Sequence, residues 1–477
     1  LNFDTNTDYF PHKLTADHAE DYNVSYHNHY KVVHNLRANE KYVLYQCGTP
    51  APSGYDGYKM FSIPLSKVAV EDSSAQRLLE LLGERLAVRY MQTTYAQSPC
   101  FQYLVEEGEV GAMESAFGGD AAKRASQLQQ VDALFQFSPS TDSKTIAITA
   151  SADPGPLQRA EWVEFMSLFF NKEAEAMQVF EGIRDRYLCH RKQVSEHSAK
   201  PVVAWAYYSS WSKEWVITNA AYKHYYLRDA GAQLVGGTNA DMKFNTTSGL
   251  HAALANVDIL IDETYSAGAY TFSKFLDDYG LQANSTLKFV QNGAVWRFDR
   301  LINANYGLDW FTGALVEADV VLEDLITVIQ PGHSNVHDRT WLRQLSTEGQ
   351  VIQQSSSCVD PTLPATPRAD ACASHLSPHV SPPSISPSTN VSPFLANAQP
   401  IAPTASPSTA HHLESPSPSP GTPMPSPGPS SILSNASGHF HVHSGTVVLP
   451  ASEMTLASLL LGVADSTADR IELQGSG

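Results

Sequence analysis

Residues 159–187 read RAEWVEFMSLFFNKEAEAMQVFEGIRDRY. Within this stretch Trp162, Phe165, Met166, Phe169, Met177, Phe180, Ile183 and Tyr187 recur at spacings that fit a 3.6-residue period. Pro154 and Pro156 stand just ahead of it, where proline is tolerated at a helix start. The pattern predicts one helix from Pro156 to about Tyr187, a rod of roughly 45 Å at 1.5 Å per residue. Such a rod is longer than a single α/β lobe needs, and similar strand–helix alternation lies on both sides of it. Two lobes joined by one long helix, with a cleft between them, fit these facts better than one domain carrying a long surface helix.

The flanking sequence fills in the lobes. Candidate strands are Lys67–Val70, Leu86–Tyr90, Ala133–Phe137 and Thr145–Thr149 before the helix, and Val202–Tyr207, Asp258–Ile261 and Leu287–Val290 after it. Candidate helices are Ser74–Leu82, Ala121–Gln130, Ala220–Ala230, Gly249–Ala255 and Trp310–Ile329. This alternation predicts an α/β class fold of two Rossmann-like lobes, with mostly parallel sheets covered on both faces. The expected divisions are an N-terminal extension at 1–60, irregular or hairpin-like and packed on the first lobe, then a first lobe at 61–153. An inter-lobe helix at 154–192 and a second lobe at 200–335 follow. Residues 361–430 hold 18 of the chain's 29 prolines, too many for a packed core. A disordered Ser/Pro-rich stalk is therefore expected at 345–437, either glycosylated or plain linker, with a short segment at 438–477 after it. The apolar run Leu456–Val463 in that last segment is too short to span a bilayer. It fits a small helix or the remnant before a lipid-anchor site.

Charge and cysteines narrow the class. The chain has 477 residues, 31 Lys+Arg and 49 Asp+Glu, a net charge of −18 that argues against nucleic-acid partners. The cysteines are Cys47, Cys100, Cys189, Cys358 and Cys372, with no CxxC pair, so one thiol is left over if the others are bridged. Cys358 and Cys372 are close enough in sequence to close a small loop. Sequons occur at Asn23, Asn245, Asn284, Asn390 and Asn435. With no starting Met and the Ser/Pro tract, they predict a secreted, processed glycoprotein, free or lipid-anchored at the outer face of the plasma membrane.

Enzyme signatures such as GxSxG, GxxxxGK[ST], HExxH and a GxGxxG after a strand are missing, so a non-enzymatic role without a resident metal or cofactor is expected. His439, His441 and His443 alternate on one face of any strand they form, but nothing around them supports a metal site. The aromatics say more. Trp205 opposes Ala204 and Ala206 across a strand and is expected in the core. Tyr208 and Trp211 follow that strand, Tyr265 follows the next, and Phe137 ends one in the first lobe. In α/β sheets ligands sit at such strand ends. Glu71, Ser73, Asn303, Asn305 and Tyr306 add carboxyl, hydroxyl and amide groups. Flat rings with a few polar groups suit a large, partly apolar ligand.

Several stretches together resemble a known family. They are Tyr9–Thr15 (YFPHKLT), Tyr26–Val33, Tyr42–Pro52 (YVLYQCGTPAP), Pro64–Val70, Arg159–Tyr187 and Val290–Tyr306. The family is the class III, helical-backbone periplasmic solute-binding proteins of cobalamin and iron-siderophore ABC transporters, and the likeness is nearest to its algal cobalamin-acquisition branch. The resemblance covers roughly residues 1–335. It implies two lobes, a rigid connecting helix and a monomer that holds cobalamin between the lobes for delivery to a membrane-associated uptake receptor or transporter. An iron-siderophore or haem ligand, or a surface interaction protein that has lost its ligand, are the alternatives. Family members usually carry a Glu at the start of one helix in each lobe for docking on a permease. Here Lys123/Arg124 and Leu250 stand there, so a different handover is expected.

Overall fold

The computed structural model describes residues 3–116, 118–194, 200–237, 240–332, 337–368 and 372. Most of the Ser/Pro tract, the histidine triplet at 439–443 and the segment 438–477 lie outside the described residues.

The N-terminal residues are more regular than their Tyr, His and Asn content suggests. Strands β1 (Tyr22–Tyr26), β2 (Tyr30–Asn35), β3 (Glu40–Gln46) and β4 (Lys59–Ile63) form a four-stranded sheet in that order. The first three are antiparallel and β4 runs parallel to β3. Tyr42 and Phe61 on this sheet meet Phe165 and Phe169 edge-on, which ties it to the connecting helices.

The first lobe is a five-stranded, fully parallel sheet. It contains β5 (Val68–Val70), β6 (Val88–Met91), β7 (Gly111–Ala112), β8 (Ala133–Gln136) and β9 (Thr145–Ala147) in the order β7-β6-β5-β8-β9. Helices α1 (Ser74–Leu81), α2 (Pro99–Glu106) and α3 (Ala121–Gln129) connect its strands. The short apolar runs VAV and TIA are buried throughout, as covered parallel strands require.

The expected single rod is three helices: α4 (Pro156–Ala160), α5 (Trp162–Ser167) and α6 (Glu173–Val194). The apolar period continues across the join, but the backbone does not. Asn171 has φ 55°, and the Lys172 N–H reaches back to the Ser167 carbonyl at 3.1 Å, a helix stop of the left-handed type. Lys31, fully buried, holds the bend from β2. Its ammonium donates to the Leu168 carbonyl and Asn171 Oδ1, each at 2.8 Å, and pairs with Glu173. The straight piece, α6, is 22 residues, or about 33 Å.

The second lobe contains β10 (Val202–Ser209), β11 (Glu214–Ile217), β12 (Gln233–Leu234), β13 (Met242–Phe244), β14 (Ile259–Asp262) and β15 (Val295–Arg297). Helices α7 (Ala221–Asp229), α8 (Thr247–Ala253), α9 (Phe272–Asp278) and α10 (Lys288–Gln291) accompany them. The stretch Leu287–Val290, expected as a strand, falls on α10; the strand comes after it, at Val295. Parallel β12, β10, β14 and β15 form the sheet's centre. Trp205 is fully buried on the face opposite Ala204 and Ala206.

The chain then returns toward the first lobe. After β16 (Leu301–Ile302) comes a short turn at Asp309–Phe311, and only Ala318–Ile329 forms the helix α11, which packs on α6. Strand β17 (Arg343–Gln344) joins the second sheet, and β18 (Val351–Ile352) pairs with β16. The stalk expected from 345 therefore begins too early. Residues 355–368 lie as a strap against the first lobe, where Ala365 N–H donates to Glu80 O at 2.7 Å and Arg85 donates to Leu363 O. Two disulfides secure this strap: Cys100–Cys358 ties it to α2 and Cys189–Cys372 to α6. The loop considered between Cys358 and Cys372 is not formed, and Cys47 is the exposed free thiol. Among the described residues no helix is long and apolar enough to cross a membrane.

Two outcomes follow. The native chain, treated with a maleimide without reductant, takes up one equivalent, at Cys47, as read by intact mass. His337 lies 2.7 Å from Asp324 and 3.1 Å from Glu323. Burial opposes its charge, but these carboxylates hold its pKa up at about 9. A raised histidine stabilises fully below its unfolded value of about 6.5, and the contribution disappears as pH climbs through about 9. The urea midpoint is therefore expected to fall across that window, and His337→Gln is expected to flatten the fall.

Candidate functional site

The ends of the parallel strands in both lobes open on one cavity of about 740 Å³. From the first lobe it is lined by Glu71–Ser73 after β5, Tyr95 and Gln97 after β6, and Phe137–Ser140 after β8. From the second come Glu263–Gly268 after β14, Arg297–Asp299 at the end of β15, and Asn305–Leu308 with Trp310 and Phe311. In open α/β sheets the ligand crevice lies outside the carboxyl ends of the strands, and both lobes turn those ends to this cavity.

Of the residues expected at the site, Glu71, Ser73, Phe137, Tyr265, Asn305 and Tyr306 line this cavity. Tyr265 and Tyr306 are 45% and 41% exposed, so their rings stand open to a ligand. Three others are elsewhere. Tyr208 remains within β10; its backbone N–H donates to Thr264 Oγ1 and its ring lies 5.1 Å from Trp215. Trp211 sits at the tip of the β10–β11 hairpin, 82% exposed and off the cavity wall. The strand runs two residues further than its sequence suggests, which carries both rings past the cleft. Asn303 is buried as a clamp: its amide donates to the Thr94 and Ala96 carbonyls, and its Oδ1 accepts from the Asn305 and Gly307 N–H groups. It holds a first-lobe loop to a second-lobe loop beside the cavity.

The charged lining comprises carboxylates Glu71, Asp72, Asp241, Glu263 and Asp299, against cations Arg124, Lys223 and Arg297. Every one of those cations already has a carboxylate. Arg124 forks onto Glu71, with its second Nη at 2.9 Å, and also donates to the Glu114 carbonyl at 2.7 Å. Lys223, buried, donates to Glu263 at 2.6 Å and Thr218 Oγ1 at 2.5 Å and lies 5.0 Å from the Trp205 ring. Arg297 is buried between Asp262 and Asp299, over the Tyr270 ring at 4.1 Å. Burial raises Asp262 despite its arginine, whereas at Asp299 Arg297 and Arg343 overcome burial and hold the carboxyl below its usual value. Arg124, aligned by resemblance with a permease-docking acid, thus serves the cavity wall, and Leu250 is fully buried in α8.

Gln97, Arg124, Tyr222, Lys223 and Glu263 were not among the expected site residues. Gln97 and Glu263 follow strand ends, the same signal that found Glu71 and Tyr265. Lys223 and Tyr222 lie on α7, whose facing no strand-end rule reveals.

No protein-family model matches the chain. In sequence it is similar to an uncharacterized lipoprotein of Methanocaldococcus jannaschii, 24% identical over 322 residues that cover 61% of this chain and 73% of the relative. Among solved structures it is similar to a periplasmic haem-binding protein of Pseudomonas aeruginosa, with TM-score 0.43 and 12% identity, covering 60% of this chain and 99% of that one. A possible iron-binding, periplasmic solute-binding protein of Staphylococcus epidermidis aligns with TM-score 0.42 and 12% identity, covering 56% and 100%.

Removing Arg297 leaves Asp262 and Asp299 buried without a shared cation. Arg297→Ala is expected to cost about 3–5 kcal/mol of stability in urea unfolding, a loss measurable without any ligand.

Proposed function

We propose that the chain is an extracellular solute-binding protein that captures cobalamin between its lobes and delivers it to a membrane-associated uptake partner. The observation that carries this reading is the pairing of every described cavity cation with a carboxylate, in a pocket whose aromatic rings lie in both lobes. Haem and the catecholate and carboxylate ferric siderophores present anionic groups that call for spare arginine or lysine. Cobalamin is a large macrocycle whose periphery is mostly neutral amide, and aromatic walls with few free charges suit it. Tyr95, Phe137, Tyr265, Tyr306 and Trp310 supply the rings in this reading, and Ser73 and Asn305 the hydrogen bonds. Glu71 shapes the wall through Arg124.

An exported location is consistent with the exposed sequons at Asn23, Asn245 and Asn284 and with the two disulfides. The archaeal relative's name as a lipoprotein supports a membrane anchor.

Titration calorimetry of the full chain tests the reading, with cyanocobalamin against haem and a ferric siderophore. Cyanocobalamin is expected to bind at micromolar or better concentration; no heat with it at tens of micromolar would overturn the proposal. Tyr265→Ala and Tyr306→Ala are each expected to weaken binding by about two- to tenfold while leaving the thermal midpoint unchanged.

A further inference from the structure

Gln97 is 3% exposed and lines the cavity, yet its buried side-chain Oε1 has no hydrogen-bond partner among the described residues. Its backbone is fully engaged: the N–H donates to Gln76 Oε1, and the carbonyl accepts from Gln102 Nε2. The backbone is therefore held in place while the side-chain Oε1 is left without a donor. The second lobe leaves room for it by placing Gly307 alongside; a Cβ there would come within 2.3 Å of Gln97 Nε2. A buried amide oxygen without a partner is uncommon in folded proteins and calls for an explanation. A primary amide is its natural complement, because each group offers both N–H donors and a C=O acceptor.

The charges around it point the same way. Arg124, Lys223 and Arg297 are each bound to a carboxylate, and among the described residues no cation pairs with Asp72 or Asp241. A carboxylate-bearing ligand would meet surplus negative charge and no free cation. An amide-bearing ligand would meet acceptors and a matching amide.

We infer that this cavity selects macrocycles with amide substituents over the same macrocycles with carboxylates, and that Gln97 is a specificity-determining residue. The inference rests on the corrinoid reading above and extends it to the ligand's periphery. The recognition is reciprocal amide pairing at Gln97, reinforced by repulsion of anions from the lining.

Calorimetry on the full chain with dicyanocobinamide and dicyanocobyrinic acid tests it, since the two share a ring and differ in carrying amides or carboxylates. The amide form is expected to bind more tightly by about tenfold or more. Gln97→Leu is expected to weaken the amide form by about tenfold and to leave the thermal midpoint in place. Glu71→Gln, which leaves Arg124 without its carboxylate, is expected to narrow the preference. Should that variant fail to fold, the wild-type comparison decides alone. Equal binding of the two corrinoids overturns the inference and leaves the corrinoid reading standing. An unchanged affinity in Gln97→Leu removes the role given to Gln97. If neither corrinoid binds, the corrinoid reading falls and this inference with it.

Discussion

The structure depends on one buried carboxylate, Glu317, at the head of α11. Arg77 from the first lobe reaches it with two nitrogens, at 2.8 and 3.1 Å, and Arg368 from the strap closes on it from the other side. Burial alone would raise this carboxyl, but the two guanidinium groups hold it below its ordinary value. Arg368 also reaches Asp309 at 3.3 Å and lies over the Trp341 ring. Charges this well covered are costly to leave unpaired, so the three segments that supply them are fixed as a set. Their order in the chain, at positions 77, 317 and 368, is why the lobes and the strap come together at one point.

Much of the fold was legible because its signals are local. The parallel strands at Val68–Val70, Ala133–Gln136 and Val202–Ser209 are short apolar runs, and the helices between them carry their own start signals, such as Asp120 accepting from the N–H groups of Ala122 and Lys123. What the sequence hid was nonlocal. The apolar period from Trp162 to Tyr187 is unbroken, yet Asn171 ends one helix and Lys31, about 140 residues earlier, fastens the bend. Periodicity reports which side of a segment is buried and is silent on whether the backbone turns. The first 60 residues were opaque for a related reason: their strands mix Tyr, His and Lys, and only pairing across the sheet and packing on Phe165 and Phe169 makes them regular.

The candidate site divides the same way. The strand-end rule placed Glu71, Phe137, Tyr265 and Tyr306 because it depends only on where a strand stops. It failed for Tyr208 and Trp211 because β10 continues to Ser209 and turns into a hairpin with β11. Asn303 has the residue type of a ligand contact, but the loop carbonyls of Thr94 and Ala96 already occupy its amide. Whether a polar group faces a ligand or a neighbouring loop is set by chain segments some two hundred residues away.

The Cys189–Cys372 bond has a mechanical consequence. Cys189 lies near the carboxyl end of α6, the longest helix described, and Cys372 is the last residue described, inside the Pro-rich tract. Tension arriving at Cys372 from its carboxyl side divides between the backbone that leads to the strap and the disulfide that leads to α6. A molecule tugged at its tail would thus bear part of the load on its longest described helix, which spares the mouth that share of the strain.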